Sequence, residues 1–200
     1  MKRIELKFDI TSVSIKNLIR ELKLCKLHER RKIYSIYYDT DKYKFFHDGI
    51  EGIRPRKKIR IRSYDFKNFQ LEAKITTFEN KLKHSKKLQN FKKYNLSNIN
   101  FNKFRMNIYN EKVNPTLSVF YERSYYFNQI GRFTIDTDIR YKKNLSTDFS
   151  INYISQKKII LECKSLNLKT KYIFNSLYNL KEQAFSKYIN GFSLTHGIKI

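Results

Sequence analysis

The sequence predicts an α+β fold whose antiparallel sheet closes or nearly closes. At least seven strands are predicted, and five short segments among them alternate apolar and polar residues with the period of two that is typical of a β-strand. Only a few stretches show the spacing of three and four residues that is typical of a helix. Neither an internal repeat nor a linker divides the chain. We therefore expect one domain over residues 1–200.

The first elements are a strand and a helix. Residues 2–9 alternate as a strand, and Thr11 or Ser12 can cap the helix that follows. The buried stripe of this helix recurs every three or four residues: Ile15, Leu18, Ile19 and Leu22.

Three further strands are predicted before residue 77. Residues 34–40 are rich in β-forming residues and end in turn formers, which indicates a strand. Asp48-Gly49 and Gly52 indicate a turn region. Strands at 56–64 and 68–76 then follow closely enough to pair with each other.

The amino-acid composition and the periodicity change after residue 78. Residues 79–112 are polar and weakly periodic, and we interpret them as one or two helices with a loose connection. Strands are expected at 116–127, 132–140 and 158–165, the first two as a hairpin. The last element is a helix over about 170–189, with one apolar side: Ile173, Phe174, Leu177 and Leu180.

The composition bounds the function. The formal net charge of +24 predicts a polyanionic partner, such as nucleic acid, anionic lipid or phosphate esters. Part of this charge has a second explanation, because joint richness in Lys, Asn, Ile, Tyr and Phe is typical of an AT-rich genome. No apolar signal core and no apolar run of roughly 18 residues occurs, so we expect a soluble, cytoplasmic protein without a membrane span.

Several kinds of site are excluded. Five glycines in all provide no Walker loop and no Gly-x-Gly-x-x-Gly cradle. The four histidines lack metal-binding spacing, and two cysteines indicate neither a disulfide framework nor a cysteine zinc site. Cys163 lies between Glu162 and Lys164, hence on the apolar face of its strand, where we expect it to pack.

The polar faces of the predicted strands mix charges of both signs. Segments such as 58–62 and 71–75 carry cations or carboxylates at every second position. Cations that bind phosphates would then lie beside acids that hold a divalent metal, as a triphosphate site requires. The alternative is an antiparallel sheet with one solvated side, which is the commoner explanation for any single segment.

Arginine usage favours the site. The chain has 30 lysines and 12 arginines, yet its alternating segments carry Arg3, Arg60, Arg62, Arg123 and Arg132. The rigid arginine fork suits bidentate phosphate binding, whereas a merely solvated face in a lysine-rich chain would carry mostly lysine.

At this point the chain resembles a family. Eight short motifs occur in the order seen in VTC domains, the polyphosphate-polymerase branch of the triphosphate tunnel metalloenzymes and relatives of the CYTH domains. The motifs are Arg3-x-Glu5-x-Lys7, Ser35-Ile36-Tyr37-Tyr38-Asp39-Thr40, Arg56-x-Lys58-x-Arg60-x-Arg62-x-Tyr64, Glu72-x-Lys74, Tyr121-x-Arg123, Arg132-x-Thr134-x-Asp136, Glu162-x-Lys164 and Ser186-Lys187-Tyr188.

The resemblance implies an antiparallel eight-stranded β-barrel, a triphosphate tunnel with flanking helices. It implies catalytic phosphate contacts for Arg60, Arg62, Lys74, Arg123 and Arg132. It implies substrate binding for Lys7, Lys58, Lys164, Lys187 and Tyr121. Tyr121 is the candidate for contact with the base or ribose. As ligands of Mn²⁺ or Mg²⁺ it implies Glu162 first, with help from Glu5, Glu72 and Asp136.

Some roles stay open. Glu5, Glu72 and Asp136 are either metal ligands or counter-ions that reduce repulsion among the cations. Lys81, Lys83, Lys86 and Lys87 either reach the tunnel mouth or form a solvated basic face. Arg3 stands where CYTH triphosphatases have the first Glu of Glu-x-Glu-x-Lys, which favours the polymerase branch.

The implied activity is that of a metal-dependent phosphotransferase, a polyphosphate polymerase that moves the γ-phosphoryl group of ATP to inorganic polyphosphate. The alternatives are a tunnel triphosphatase, a non-catalytic polyphosphate-binding module and a nucleic-acid-binding protein. Intact carboxylates count against a mere binding module, and motifs for nucleic-acid binding are missing. The expected partners are therefore ATP and polyphosphate, with a membrane-bound partner left open.

Overall fold

The computed structural model describes residues 4–88, 106–108, 111–143, 149, 152–166 and 170–199. Arg3 and residues 89–105 of the predicted helical region lie outside the described residues. The predicted α+β class is confirmed, with an antiparallel sheet in which eight strands follow one another along the order of pairing. No helix within the described ranges has the length and apolar character needed to cross a membrane.

The strands and helices have the following bounds. The strands are β1 (Ile4–Asp9), β2 (Cys25–Asp39), β3 (Arg56–Tyr64), β4 (Lys67–Thr76), β5 (Lys81–Lys87), β6 (Met106–Ile108), β7 (Glu111–Asn128), β8 (Gly131–Lys142), β9 (Ile154–Gln156) and β10 (Ile160–Ser165). The helices are α1 (Ile15–Glu21), α2 (Lys44–Glu51), α3 (Thr170–Tyr178) and α4 (Lys187–His196).

Eight strands pair in the order β1-β10-β8-β7-β2-β3-β4-β5, and the short β6 and β9 pair with β7 and β8. The pairs β1–β10, β10–β8, β2–β3, β3–β4 and β4–β5 are antiparallel. Their registers decide which charged side chains stand opposite each other, because directly opposite residues lie on the same face of the sheet.

The chain forms two compact units, each built from separate stretches. The first unit comprises Met1–Arg31, Tyr121–Ile139 and Gln156–Phe185. The second unit comprises Lys32–Phe120, Arg140–Ser155 and Ser186–Ile200.

The core of the first unit combines aliphatic and phenylalanine side chains and lies on the apolar side of its strands. Leu18 of α1 and Phe174 of α3 are fully buried among residues of β1, β8 and β10. Phe174 stacks on Phe8, with ring centroids 4.6 Å apart. Cys163 belongs to the same core, which confirms its predicted packing role.

The core of the second unit is aromatic. Tyr34 packs against Phe66 and Phe149, and Phe120 contacts both of these rings. These rings provide the large buried surfaces that tryptophan, absent from this chain, often supplies.

Asp39, the last residue of β2, connects three elements of the second unit. Its carboxylate accepts hydrogen bonds from the backbone N–H groups of Phe45 and Phe46, at 2.9 Å each, and so caps α2. It also accepts the hydroxyl hydrogen bond of Tyr188 in α4. Burial raises the pKa of Asp39, and these hydrogen bonds oppose the increase.

Three sequence-based predictions were wrong in detail. Residues 81–87 and 106–108 form strands rather than helices. All seven residues of β5 are exposed, so its pairing with β4 depends on backbone hydrogen bonds that the side-chain pattern does not reveal. The turn region around Asp48 is the helix α2, whose first backbone N–H groups donate to Asp39, five residues before its first residue.

The helix predicted over 170–189 is two helices. The chain between α3 and α4 pairs with β1 instead, through a bridge between Phe8 and Glu182 and a hydrogen bond from Gln183 N to Lys7 O of 2.9 Å. Ser186 then caps α4 by accepting from the N–H of Ile189. The strands β2 and β7 are also longer than predicted, because their charged first residues carry no apolar pattern.

Two helical glycines of the second unit provide a matched test of packing. A Cβ at Gly191 of α4 would lie 2.3 Å from Tyr141 Cδ1, whereas one at Gly49 of α2 would meet only the mobile end of Ile189 at 2.6 Å. We expect Gly191→Ala to lower the free energy of unfolding by about 1–3 kcal/mol through overpacking. Gly49→Ala should change it by less than about 1 kcal/mol, because its gain in helix propensity offsets a small shift of Ile189. Urea unfolding measures both values, and equal stabilities of the two variants would contradict this packing.

Candidate functional site

Arg60 and Glu72 form the centre of a charged cluster in the second unit. They stand directly opposite each other in the register of β3 and β4. Arg60 donates to Glu72 Oε2 from Nε at 2.8 Å and from Nη2 at 2.7 Å. Arg62 Nη1 lies 3.5 Å from the same oxygen, and Lys83 Nζ lies 2.7 Å from Glu72 Oε1. One carboxylate therefore contacts three cations.

Glu72 fits the role of a counter-ion. Its side chain is only 4% exposed. Burial alone would raise its pKa, but Arg60, Arg62 and Lys83 lower the pKa of Glu72 to about 2. Because both carboxylate oxygens already contact cations, this residue suits the counter-ion role that the sequence left open better than metal ligation.

Three lysines stand side by side next to this pair. Lys58 is opposite Lys74 in the β3–β4 register, and Lys74 is opposite Lys83 in the β4–β5 register. Like charges at directly opposite positions destabilise a sheet. Glu72 offsets part of this repulsion through Lys83. The row is therefore a place where a bound polyanion would relieve an unfavourable interaction.

The Ser186-Lys187-Tyr188 motif joins this cluster. Ser186 Oγ accepts a hydrogen bond of 2.9 Å from Lys58 Nζ. Burial alone would raise the pKa of Tyr37, but the charges of Arg60, Arg62 and Lys187 lower it. Lys187 thus lies close enough to act on the residue that stands opposite Arg60 in the β2–β3 register.

In the first unit, polar residues of β1, β10 and β8 form two rows across the sheet. The rows are Lys7–Glu162–Thr134 and Glu5–Lys164–Arg132. Opposite charges also approach each other diagonally, with Lys164 Nζ 2.7 Å from Glu162 Oε1 and Lys7 Nζ 3.6 Å from Glu5 Oε1. The same face therefore carries cations and carboxylates in alternation, as the sequence pattern predicted.

Arg123 and Asp136 form a bidentate pair in the first unit. Arg123 Nε and Nη2 donate to the two carboxylate oxygens at 2.6 and 2.7 Å. This geometry suits a counter-ion role for Asp136. The Tyr121 ring lies 5.3 Å from the guanidinium carbon and is 1% exposed. The predicted contact of Tyr121 with a base or ribose would require this ring to be uncovered.

Glu162 is a buried carboxylate among cations. Burial alone would raise its pKa, but Arg123, Lys164 and Lys7 lower the pKa of Glu162 to about 2. Its Oε2 atom lies 4.0 Å from Arg123 Nη2, a looser contact than those of Asp136 and Glu72. The facing Thr134 hydroxyl is buried and has no hydrogen-bond partner among the described residues.

The donors near Glu162 fit a divalent metal only together with a substrate. Within the described parts of the chain, no three His, Cys, Asp or Glu residues lie close enough together to hold a metal ion. Mg²⁺ is commonly bound by one or two carboxylates and by substrate phosphates. Glu162 is the acid that would contact a metal carried in with a triphosphate, and the orphaned Thr134 hydroxyl provides a further oxygen beside it.

The predicted site residues fall into two groups. The second unit brings together Lys58, Arg60, Arg62, Glu72, Lys74 and Lys187. The first unit brings together Glu5, Lys7, Tyr121, Arg123, Arg132, Asp136, Glu162 and Lys164. The individual catalytic, substrate and metal roles of these residues stay predictions.

Sequence reasoning assigned no role to three residues that contact these groups. Tyr37 and Thr134 lie inside motifs that the sequence singled out, at positions that alternate with the apolar ones. Strand register, which places them opposite Arg60 and Glu162, was the missing information. For Lys83 the sequence is compatible with both the tunnel mouth and a solvated basic face, and its contact with Glu72 comes from the structure.

Acid should destabilise the protein through Glu72 and Glu162. Their lowered pKa values contribute stability that is present above the unfolded value of 4.5 and is lost as pH falls toward about 2. We expect Glu72→Gln to cost about 3–5 kcal/mol at pH 7, because it leaves the buried Arg62 and the partly buried Arg60 without their carboxylate, and to flatten the acid dependence. Thermal unfolding followed by circular dichroism between pH 2 and 7 measures both effects. Glu29→Gln is the control, since that side chain is 85% exposed; an equal loss in both variants would contradict the assignment.

Similar solved structures support the fold. HpAC1 from Hippeastrum, a candidate adenylyl cyclase with a dominant triphosphatase activity, superposes with a TM-score of 0.57 at 12% identity, covering 100% of this chain and 97% of its own. PH1012 from Pyrococcus horikoshii gives 0.56 at 15% identity, with coverages of 95% and 99%. PH1819 from the same organism gives 0.54 at 17% identity, with coverages of 94% and 97%. At these identities the likeness concerns the fold alone.

The family follows from the sequence match. No curated protein matches the chain significantly. The model of the VTC domain matches residues 2–196, which is nearly the whole chain. The chain therefore belongs to the VTC domain family.

Proposed function

We propose that this protein is a metal-dependent polyphosphate polymerase that transfers the γ-phosphoryl group of ATP to inorganic polyphosphate. The observation that carries the proposal is the gathering of cations in the second-unit cluster. Among the described residues, Arg60, Arg62 and Lys83 share the carboxylate of Glu72, and three lysines lie beside them: Lys58, Lys74 and Lys187. Cations grouped at a partly buried position suit an anionic ligand.

The types of cation suit phosphates. Arg60 and Arg62 have forked donors that match two oxygens of one phosphoryl group. The lysine row supplies point charges on neighbouring strands, which lie about 4.8 Å apart. Both arginines are positioned by Glu72 before any ligand arrives, so little reorganisation is needed when a phosphate binds.

In the first-unit cluster, the numbers of positive and negative side chains are more nearly equal. Its cations Lys7, Arg123, Arg132 and Lys164 are nearly matched by the carboxylates Glu5, Asp136 and Glu162. Mn²⁺ or Mg²⁺, when bound with a triphosphate, would neutralise charge on its oxygens. Glu162 would hold that ion, while Lys7, Arg123 and Lys164 bind and orient phosphate oxygens.

Phosphoryl transfer requires mainly positioning and charge neutralisation from a protein. The described clusters supply both without a nucleophile. In the proposed reaction the γ-phosphorus forms a bond to a terminal oxygen of polyphosphate, and the bond to the β,γ-bridging oxygen breaks, which releases ADP. Arginine and lysine donors stabilise the equatorial oxygens while this exchange takes place.

A tunnel triphosphatase is the second candidate. The dominant triphosphatase activity of HpAC1, which shares the fold, favours it. Both reactions bind the same triphosphate, so they differ in whether water or a phosphate chain accepts the phosphoryl group. Localisation in the cytoplasm and interaction with a membrane-bound partner stay predictions of the sequence.

Incubation of the purified chain with ATP and Mn²⁺ tests the proposal. We expect long phosphate chains on a gel, and we expect Glu162→Gln to reduce their formation at least about 100-fold, because the isosteric amide removes the one acid suited to the metal. Binding of Mn²⁺ in the presence of tripolyphosphate, followed by electron paramagnetic resonance, should weaken in the same variant.

The control is Glu29→Gln, an exposed carboxylate paired with Lys26, which should leave the activity unchanged. Release of orthophosphate without chain growth would replace the polymerase by the triphosphatase. Tight polyphosphate binding without turnover, unaffected by chelators, would indicate a binding module instead.

A further inference from the structure

We propose that Tyr37 is a phosphate-binding residue, whose hydroxyl group donates a hydrogen bond to a phosphate oxygen held by Arg60. The inference deepens the proposed function and rests on it. It assigns a ligand contact to the motif of β2, residues 35–40, in which no residue has so far been given a ligand-binding role.

Register places Tyr37 in the row of the central arginine. Tyr37 of β2, Arg60 of β3 and Glu72 of β4 are successive partners across the sheet. Arg60 Nη1 donates to the Tyr37 hydroxyl oxygen at 2.9 Å. Arginine has no acceptor, so the phenol must send its own proton elsewhere.

That proton has no acceptor among the residues that the structure describes. The hydroxyl oxygen takes part in one hydrogen bond there, the one it accepts from Arg60. Tyr37 is 4% exposed, and a buried donor without an acceptor is costly in a folded protein. An anion oxygen bound at Arg60 would supply the acceptor.

The tyrosine ring is held in place from the other side. It stacks on the Tyr188 ring at a centroid distance of 5.2 Å and an interplanar angle of 19°. The hydroxyl of Tyr188 donates to Asp39, which caps α2. Tyr37 therefore cannot turn away from Arg60 without breaking this packing, and its hydroxyl is preorganised for a ligand.

The surrounding charges favour donation to an anion. Arg60 and Arg62 of β3 and Lys187 of α4 act on the hydroxyl, and against the effect of burial they lower the pKa of Tyr37. A more acidic phenol is a stronger hydrogen-bond donor. Glu72 lies beyond Arg60 and is engaged by that arginine and by Lys83, so it does not compete for the proton.

Two tyrosines of the same strand provide a matched test. Tyr37→Phe and Tyr34→Phe each remove one buried hydroxyl from β2, but Tyr34 faces the aromatic core, where its hydroxyl pairs with Ser118 Oγ at 3.3 Å. Calorimetric titration with inorganic tripolyphosphate at pH 7.5 should show an affinity about tenfold or more lower in Tyr37→Phe, as for loss of a hydrogen bond to a charged group. Tyr34→Phe should bind within about twofold of the unsubstituted chain.

The pH profile separates a ligand contact from a structural effect. When Tyr37 ionises, it loses its proton and places negative charge beside the phosphate. We therefore expect the affinity of the unsubstituted chain to fall at a lower alkaline pH than that of Tyr37→Phe, which lacks this ionisation. If Tyr37→Phe proves too unstable to titrate, the unsubstituted profile decides alone, by a fall in affinity that begins below 10.0, the ordinary pKa of tyrosine.

Equal affinities of Tyr37→Phe and the unsubstituted chain, or equal losses in both phenylalanine variants, would overturn the inference while leaving the proposed function intact. Identical alkaline profiles would overturn it as well. Failure of the unsubstituted chain to bind tripolyphosphate would instead overturn the proposed function, and the role of Tyr37 with it.

Discussion

Pairing of partly buried arginines with buried carboxylates on neighbouring strands is the constraint on which the rest of the site depends. Two such pairs join neighbouring strands, each through two charge-assisted hydrogen bonds: Arg60 with Glu72, and Arg123 with Asp136. A buried ion pair adds little net stability, but loss of one partner is strongly destabilising. The carboxylates therefore act chiefly on geometry, because they hold each guanidinium in one orientation while the charge excess of the chain remains available to ligands.

This arrangement explains why acids and bases alternate on one face. Cations gathered without carboxylates would repel one another and turn toward solvent, whereas each pair described here is anchored to a strand register. Under the proposed function, a phosphate would enter an ordered set of donors. It would compete with Glu72 for Lys83, whose side chain is 57% exposed, more readily than for Arg62, which is almost enclosed. Lys83 is therefore the adaptable member of the cluster, and Arg62 is a fixed one.

The sequence predicted the fold class and most strands because period-two alternation survives wherever one face is apolar. It failed for β5, where all residues are exposed, and for α2, whose first N–H groups donate to Asp39 of the preceding strand. Charged residues of the site could be identified from their types and order. Their partners could not be identified, since only the cross-strand register shows that Tyr37, Thr134 and Lys83 lie beside them. Whether Glu72 and Asp136 are metal ligands or counter-ions could be judged only from distances. The three cations around Glu72 and the bidentate pair of Asp136 with Arg123 favour the counter-ion role.

The lysines of β5 have a consequence beyond ligand binding. Among the described strands, β5 ends the pairing order, and strands in that position can add a second chain through their backbone groups. Lysine side chains along such an edge oppose this association by mutual repulsion between copies. A long polyanion would neutralise that repulsion, so binding of such a polymer would promote self-association of the protein.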